Sequence, residues 1–315
     1  MNNFISLHDV SDKEALLESA LEIIQDPWQY EYIGNRKTIG LLFFNPSLRT
    51  RMSTQQAAYR LGMQVISMNA DQGWKIEFED GAVMNLDKAE HVKEAAAVMS
   101  QMVDILAIRS FPTLADKEMD SQEIVMNQFC KYATVPVINL ESSTLHPCQS
   151  FADIITMEQF RKKARSNTKV VLTWAPHIRA LPQAVSNSFA QWALGYDYDL
   201  VITHPKGYEL DTKFTNGAII EYDQHKAFEG ADFVYAKNWS SFHHYGKILT
   251  EDPSWMITDK KMKLTNNGKF MHCLPTRRNL EIADDVLDSG YSLVMEQAKN
   301  RIVSAQTVMM ELLKQ

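Results

Sequence analysis

Eight short apolar, β-rich runs punctuate the chain, and the stretches between those of the first half carry the three- and four-residue apolar spacing of amphipathic helices. The first half has TIGLLFF (38–44), QVISMN (64–69), DILAIRS (104–110) and VPVINL (135–140); the spacing predicts helices over 12–25, 47–61, 88–103 and 121–132. The second half repeats the alternation with KVVLTWA (169–175), DLVITH (199–204), DFVYAKN (232–238) and KFMHCL (269–274). Strands separated by helices cannot pair as hairpins, so they form parallel sheets covered on both faces. HPCQSFADIITMEQFRKKA (146–164) reads as a helix joining the halves, and SLVMEQAKNRIVSAQTVMMELLK (292–314) as a closing helix. The expectation is an α/β protein of two doubly wound parallel-sheet domains with a cleft between them, linked by interdomain helices. The expected boundaries are 1–145, with the C-terminal helix 292–315 packing back, and 146–291.

Length agrees, since 315 residues suffice for two domains at about 150 residues each. Three scattered cysteines with no CxxC encode neither a zinc module nor a secreted disulfide framework, and a reducing, cytoplasmic setting is expected. No segment approaches the roughly 18 apolar residues of a membrane span. The formal net charge of −7 argues against a nucleic-acid partner, which needs a basic face. A small anionic substrate is a different matter. Fields are screened over roughly 8 Å in physiological salt, so a local arginine cluster can govern one site in an acidic chain.

Such a cluster stands in FFNPSLRTRMSTQQAAYRLG (43–62), where a strand end passes directly into a predicted helix. Free N–H groups and the helix dipole favour an anion there, and Ser47, Arg49, Thr50 and Arg51 add donors. An isolated string of this kind is more often a capping serine with solvated arginines; two arginines and two hydroxyls in one turn shift the balance to phosphate. Further strand ends carry Arg109 and Ser110, then His146 to Gln149, then His272 to Asn279. In open α/β folds such ends converge on one crevice. Singly each has a bland reading: a capping His146, a buried apolar Cys273, a basic turn at Arg277 and Arg278.

Taken together, FNPSLRTR, HPCQ and HCLPTRRN, in this order over both halves, resemble the aspartate and ornithine carbamoyltransferases. The resemblance implies that Ser47, Leu48, Arg49, Thr50, Arg109, His146, Pro147, Cys148, Gln149, Cys273 and Leu274 bind carbamoyl phosphate, with Arg49, Thr50, Arg109 and His146 catalytic. It also implies a homotrimer with shared sites, in which a neighbour's loop around Trp74 and Lys75 completes each site. The substrates are then small molecules and no cofactor or metal is needed.

Departures from the family pattern narrow the second substrate. Leu48 replaces the first threonine of the usual STRT, and no SMG loop is present to recognise a free α-amine. The corresponding stretch, YAKNWSSFHHYGK (235–247), offers Lys237, Trp239 and His243 instead. This resembles the family's branch acting on Nα-acylated ornithine, and implies that Glu141, His177, Lys237 and Arg277 face the acylornithine while Trp74 and Arg301 contact carbamoyl phosphate. The product would be an Nα-acylcitrulline of arginine biosynthesis. An ordinary ornithine carbamoyltransferase and a non-catalytic metabolite-binding homologue are the alternatives. A nicotinamide enzyme would want GxGxxG after an early strand, which is absent.

Glu90 bears on the acyl group. With Asp87 it has the spacing of a capping box at a helix start. By resemblance, acetyl-type enzymes carry Glu here and succinyl-type enzymes proline, whereas the remaining strings look closer to the succinyl type. A second carboxylate on the substrate about 4 Å from Glu90 would be repelled by roughly 4 kcal/mol at an effective dielectric near 20. The expectation is a succinyl-type scaffold whose Glu90 tilts preference to N-acetylornithine.

Overall fold

The computed structural model describes residues 1–314, without the side chain of Asp71. It divides into two compact units: Met1–Thr113 with Glu118–Cys148 and Arg301–Gln315, and Leu114–Lys117 with Gln149–Asn300.

The strands of the first unit are β1 (Thr38–Phe43), β2 (Gln64–Asn69), β3 (Ile76–Glu77), β4 (Glu90–His91), β5 (Ile105–Arg109) and β6 (Val137–Glu141). The main sheet has the order β2-β1-β5-β6 and is parallel throughout. Central strands β1 and β5 are buried almost end to end, as continuous apolar runs require, whereas β2 at the edge alternates exposed and half-buried residues. The far edge is covered by the N-terminus: Phe4 exchanges backbone hydrogen bonds with Val137 and Asn139 at 2.9 Å. Leu42, Val92, Leu106, Ile108, Phe129 and Val137 form the core between this sheet and its helices.

The second unit contains β7 (Lys169–Trp174), β8 (Asp199–Thr203), β9 (Ile219–Glu221), β10 (Phe233–Lys237) and β11 (Lys269–Met271), ordered β11-β10-β7-β8-β9 and also parallel. Its core gathers Val171, Val201, Phe228, Val234, Phe270 and Ile282. The helix Ala184–Gly195 is buried along most of its length, including Phe189 and Trp192. Each large apolar side chain so buried contributes about 1.5–3 kcal/mol of transfer free energy. The two-domain parallel α/β expectation is met. Helices Pro147–Phe160 and Val294–Leu313 each begin or end across the division between the units.

Three local expectations change. The helix expected over 88–103 begins only at Val92, with His91 as its N-cap accepting the Lys93 N–H. Glu90 lies in β4, so the Asp87 and Glu90 capping box does not form. The stretch 121–132 becomes two pieces, Lys117–Ser121 and Ile124–Tyr132. The strand expected over 269–274 stops at Met271, because the chain turns sharply after it: Leu274 takes a left-handed φ of 52° and its N–H is bonded to His272 Nδ1 at 2.9 Å. Among the described residues no helix is long and apolar enough to cross a membrane.

Candidate functional site

In the first unit, β1 runs out at Phe43 and the helix Arg49–Arg60 starts six residues later, with Leu48 as N-cap and no side chain capping it. Thr50 in its first turn is buried, and its hydroxyl accepts from two guanidiniums: Arg301 Nη2 at 2.7 Å and Arg109 Nη1 at 3.4 Å. Arg109 closes β5. Its Nη2 lies 3.1 Å from Glu141 Oε2 at the end of β6, and His146 Nε2 lies 3.5 Å from the same oxygen. The guanidinium also stacks 4.4 Å over the Phe111 ring.

Burial lowers the Arg109 pKa, Glu141 opposes that shift, and the neighbouring Arg301 and Arg49 cations reinforce it. Three guanidiniums therefore lie close together, with Glu141 paired to Arg109, an arrangement with surplus positive charge in a water-poor setting. Like charges so placed are stabilised by an anion and strained without one. Arg51, in contrast, is turned towards β2, bonded to Ser67 and Asn69 and lying 4.1 Å over Phe43. It braces the strand rather than extending the cluster as the sequence suggested.

Pro147 opens the helix Pro147–Phe160, where the missing N–H costs nothing. Cys148 follows, with its thiol donating to the Asn139 carbonyl at 3.7 Å and its own carbonyl accepting from Ser304. Burial pushes this thiol up to about 12, against the pull of Arg301, so it is a packing group and not a nucleophile. Ser47, next to the N-cap, is half-buried.

Trp74 and Glu90 lie on a small flap made by β3 and β4, which pair with Ile76 opposite Glu90. The Trp74 indole donates to Glu90 Oε2 at 2.7 Å, and Lys75 is ion-paired with Asp87. Trp74 is 62% exposed, a large aromatic offered to solvent and held only at its edge.

In the second unit, Gln149 is buried and donates through Nε2 to Asp153 Oδ1 at 2.7 Å, one helical turn on. Gln297 donates to the same oxygen at 2.7 Å, and its own amide oxygen accepts the His272 N–H at 2.9 Å. His272 precedes Cys273 and Leu274, so the turn after β11 is registered through Gln297 to Asp153. Beside it, burial raises the Tyr235 phenol well above its usual value, and the neighbouring charges of Asp153 and Cys273 add to that.

His177, beyond the end of β7, has its Nε2 accepting from Arg277 Nε at 3.1 Å, while its Nδ1 lies 3.0 Å from both the carbonyl and the N–H of Arg179. Burial lowers its pKa, the Arg179 contact and Glu281 oppose that, and Lys237 and Arg277 add to it. A neutral imidazole thus sits among two cations. Arg277 is fixed further by the buried Glu281, whose Oε2 accepts its backbone N–H at 2.5 Å and the Thr276 hydroxyl at 3.1 Å. Trp239, offered by the sequence as a ligand contact, is instead fully buried, donating to the Tyr208 carbonyl at 2.8 Å; His243 is exposed.

Glu141, expected with the acylornithine group, is bonded in the first unit to Arg109 and His146, while His177, Lys237 and Arg277 gather in the second. Asp153, Gln297 and Tyr235 escaped sequence reasoning. The available signal was the spacing of Gln149 and Asp153, four apart and hence on one helix face.

Comparison with known proteins gives a consistent result. Residues 2–159 match the family model of the aspartate/ornithine carbamoyltransferase carbamoyl-P binding domain, and residues 181–312 that of the Asp/Orn binding domain. The chain is 50% identical to N-succinylornithine carbamoyltransferase of Bacteroides thetaiotaomicron over 100% of this chain and 99% of the relative. It is 36% identical to N-acetylornithine carbamoyltransferase of Xylella fastidiosa over the same shares. A crystal structure of acetylornithine transcarbamylase with acetylcitrulline superposes with a TM-score of 0.92 at 35% identity, covering 99% of each chain. A variant of N-acetyl-L-ornithine transcarbamylase with carbamyl phosphate and N-succinyl-L-norvaline gives 0.93 at 35% identity, covering 99% of this chain and 100% of that one.

Proposed function

The chain belongs to the aspartate/ornithine carbamoyltransferase family, and from that premise we propose that it carries the carbamoyl group of carbamoyl phosphate to the δ-amine of an Nα-acylornithine. The observation that carries this reading is the meeting of Arg109 and Arg301 on Thr50, with Arg49 alongside, at the ends of β1 and β5. That cluster, with Ser47, Leu48 and the start of its helix, suits a compact phosphate. Thr50, Arg109 and His146 suit the carbonyl oxygen as it gains charge, and donors fixed beforehand in a dry site are worth most there. Gln149 and the backbone carbonyls of Cys273 and Leu274 are assigned to the carbamoyl nitrogen, and His177, Lys237 and Arg277 to the acylornithine.

The neutral δ-amine attacks the carbonyl carbon, a C–N bond forms, the C–O bond to phosphate breaks, and the departing phosphate takes the amine's proton. The amine starts protonated, with a reference pKa of about 10.4 for a lysine-like group, so desolvation has to favour its neutral form. The Nα-acylcitrulline produced fits a step of arginine biosynthesis in the cytoplasm.

The greater identity to the succinyl relative supports a succinyl-type background, while Glu90 favours the uncharged acetyl group. The Trp74 indole on its carboxylate limits where that charge can go. Colour assay of acylcitrulline with both acylornithines should show preference for the acetyl substrate in the chain and a shift of about a hundredfold or more towards succinyl in Glu90→Pro. Undiminished succinylornithine turnover with Glu90 in place sinks the charge argument; no turnover of either substrate sinks the activity.

A further inference from the structure

We propose that Asp153 is a positioning residue that sets which end of the Gln149 amide meets the carbamoyl group, and so makes the protein selective for an amino-bearing acyl phosphate. The proposal rests on the reading above that Gln149 contacts the carbamoyl nitrogen. Asp153 is fully buried on the helix Pro147–Phe160. Its Oδ1 takes the Gln149 amide N–H and the Gln297 amide N–H, each at 2.7 Å. An amide has one donor end and one acceptor end. With the nitrogen committed to Asp153, Gln149 presents its oxygen elsewhere, as an acceptor.

An acceptor distinguishes a carbamoyl NH2 from a methyl group of the same size. A flipped amide would do the opposite, setting its own NH2 against the substrate's. Gln297 makes the arrangement rigid from a second side, because its oxygen takes the His272 N–H at 2.9 Å and holds the turn carrying Cys273 and Leu274. One buried carboxylate thereby registers the Gln149 side chain and the Cys273 and Leu274 backbone, which are the three groups assigned to one substrate nitrogen.

Acetyl phosphate, with a methyl where carbamoyl phosphate has its amino group, is the probe. Binding of both acyl phosphates is measured for the intact chain, Gln149→Met, Asp153→Ala and Asp153→Asn. The intact chain should favour carbamoyl phosphate. Gln149→Met and Asp153→Ala should each lose about tenfold or more of that preference, through weaker carbamoyl phosphate binding with acetyl phosphate little changed. Asp153→Asn, which keeps an acceptor oxygen, should restore it. A merely structural role for Asp153 would weaken both ligands alike.

Gln149→Glu covers the case in which Asp153→Ala does not fold. The substituted carboxyl must hold a proton to donate to Asp153, so carbamoyl preference should rise as pH falls. Preference kept in Asp153→Ala but lost in Gln149→Met overturns the proposal and leaves the Gln149 reading standing, as does a pH-independent preference in Gln149→Glu. Preference unchanged in Gln149→Met overturns the Gln149 reading itself.

Discussion

Thr50 can accept two hydrogen bonds and donate one, and Arg109 and Arg301 take both acceptor positions. Its hydroxyl proton is therefore turned away from the guanidiniums, towards whatever anion or developing oxyanion they hold. That is a conclusion about one atom, and it depends on partners 59 and 251 residues away in the chain. His177 invites the same treatment. The fold holds it below its usual pKa, so as pH falls the unfolded chain takes the proton first. The stability due to the neutral ring is complete above about pH 6.5 and is withdrawn below it. The same protonation would end the acceptor role of Nε2 towards Arg277. The KM for acylornithine should accordingly rise as the pH drops from 7 towards about 5.5, and His177→Asn should flatten that profile; an identical profile in the variant refutes the assignment. Residues of this kind were only partly legible. Arg49, Arg109 and Gln149 announce themselves by sitting at strand ends beside turn and helix signals. Asp153 and Gln297 look like ordinary polar positions on apolar helices until their burial is known, and Trp239 reads as a ligand contact until its indole is found on the Tyr208 carbonyl.

Elements were more legible than residues, for a physical reason. A parallel strand buried on both faces is built mainly from apolar residues, as β1, β5, β6 and β7 are, with the charged Arg109 and Glu141 falling at strand ends. The edge strand β9 is three residues long, exposed or half-buried, and carries no such demand, so nothing in IIE marks it. The start of the helix Val92–Met102 was misplaced because Asp87 and Glu90 have capping-box spacing but are engaged by Lys75 and Trp74 on the flap. Tertiary pairing overrode a local preference. A second element shaped by one side chain is the segment Pro253–Trp255, held by Lys261 of the helix Asp259–Met262. Lys261 Nζ donates to the Ser254 carbonyl, to Gln224 Oε1, and to the Met256 carbonyl at 2.9 Å, and burial brings its pKa down to about 8. Lys261→Met keeps the stem but leaves those acceptors unpaired. It should cost about 1–3 kcal/mol in urea unfolding, and a loss below about 0.5 kcal/mol would show that the segment does not depend on this ammonium.

At the scale of the whole molecule, each unit is a parallel sheet with chemistry at its strand ends, and the first unit also bears an unusual surface. An apolar groove at its β2 edge is lined by Leu42, Ile66, Met68, Met99, Met102 and Leu106, with Ile66, Met68 and Met102 between 43% and 65% exposed. On the same unit the flap offers Trp74 to solvent, hydrogen-bonded to the half-buried Glu90. A sheet edge of this kind, left open, invites association. We propose that its occupant is a second copy of the chain, with the flap serving the copy beside it, as the shared-site trimer implied by the family resemblance would require. On that reading a site would draw Arg49 from one copy and Trp74 from the next. Arg49→Ala and Trp74→Ala should each abolish turnover alone. After the two are dissociated together and reassociated in equal amounts, roughly one site in four should recover both native groups by random pairing. Activity near that fraction supports the shared site. Mixed assemblies verified by mass but devoid of activity would place Trp74 and Arg49 in the same copy's site and leave the groove without this explanation.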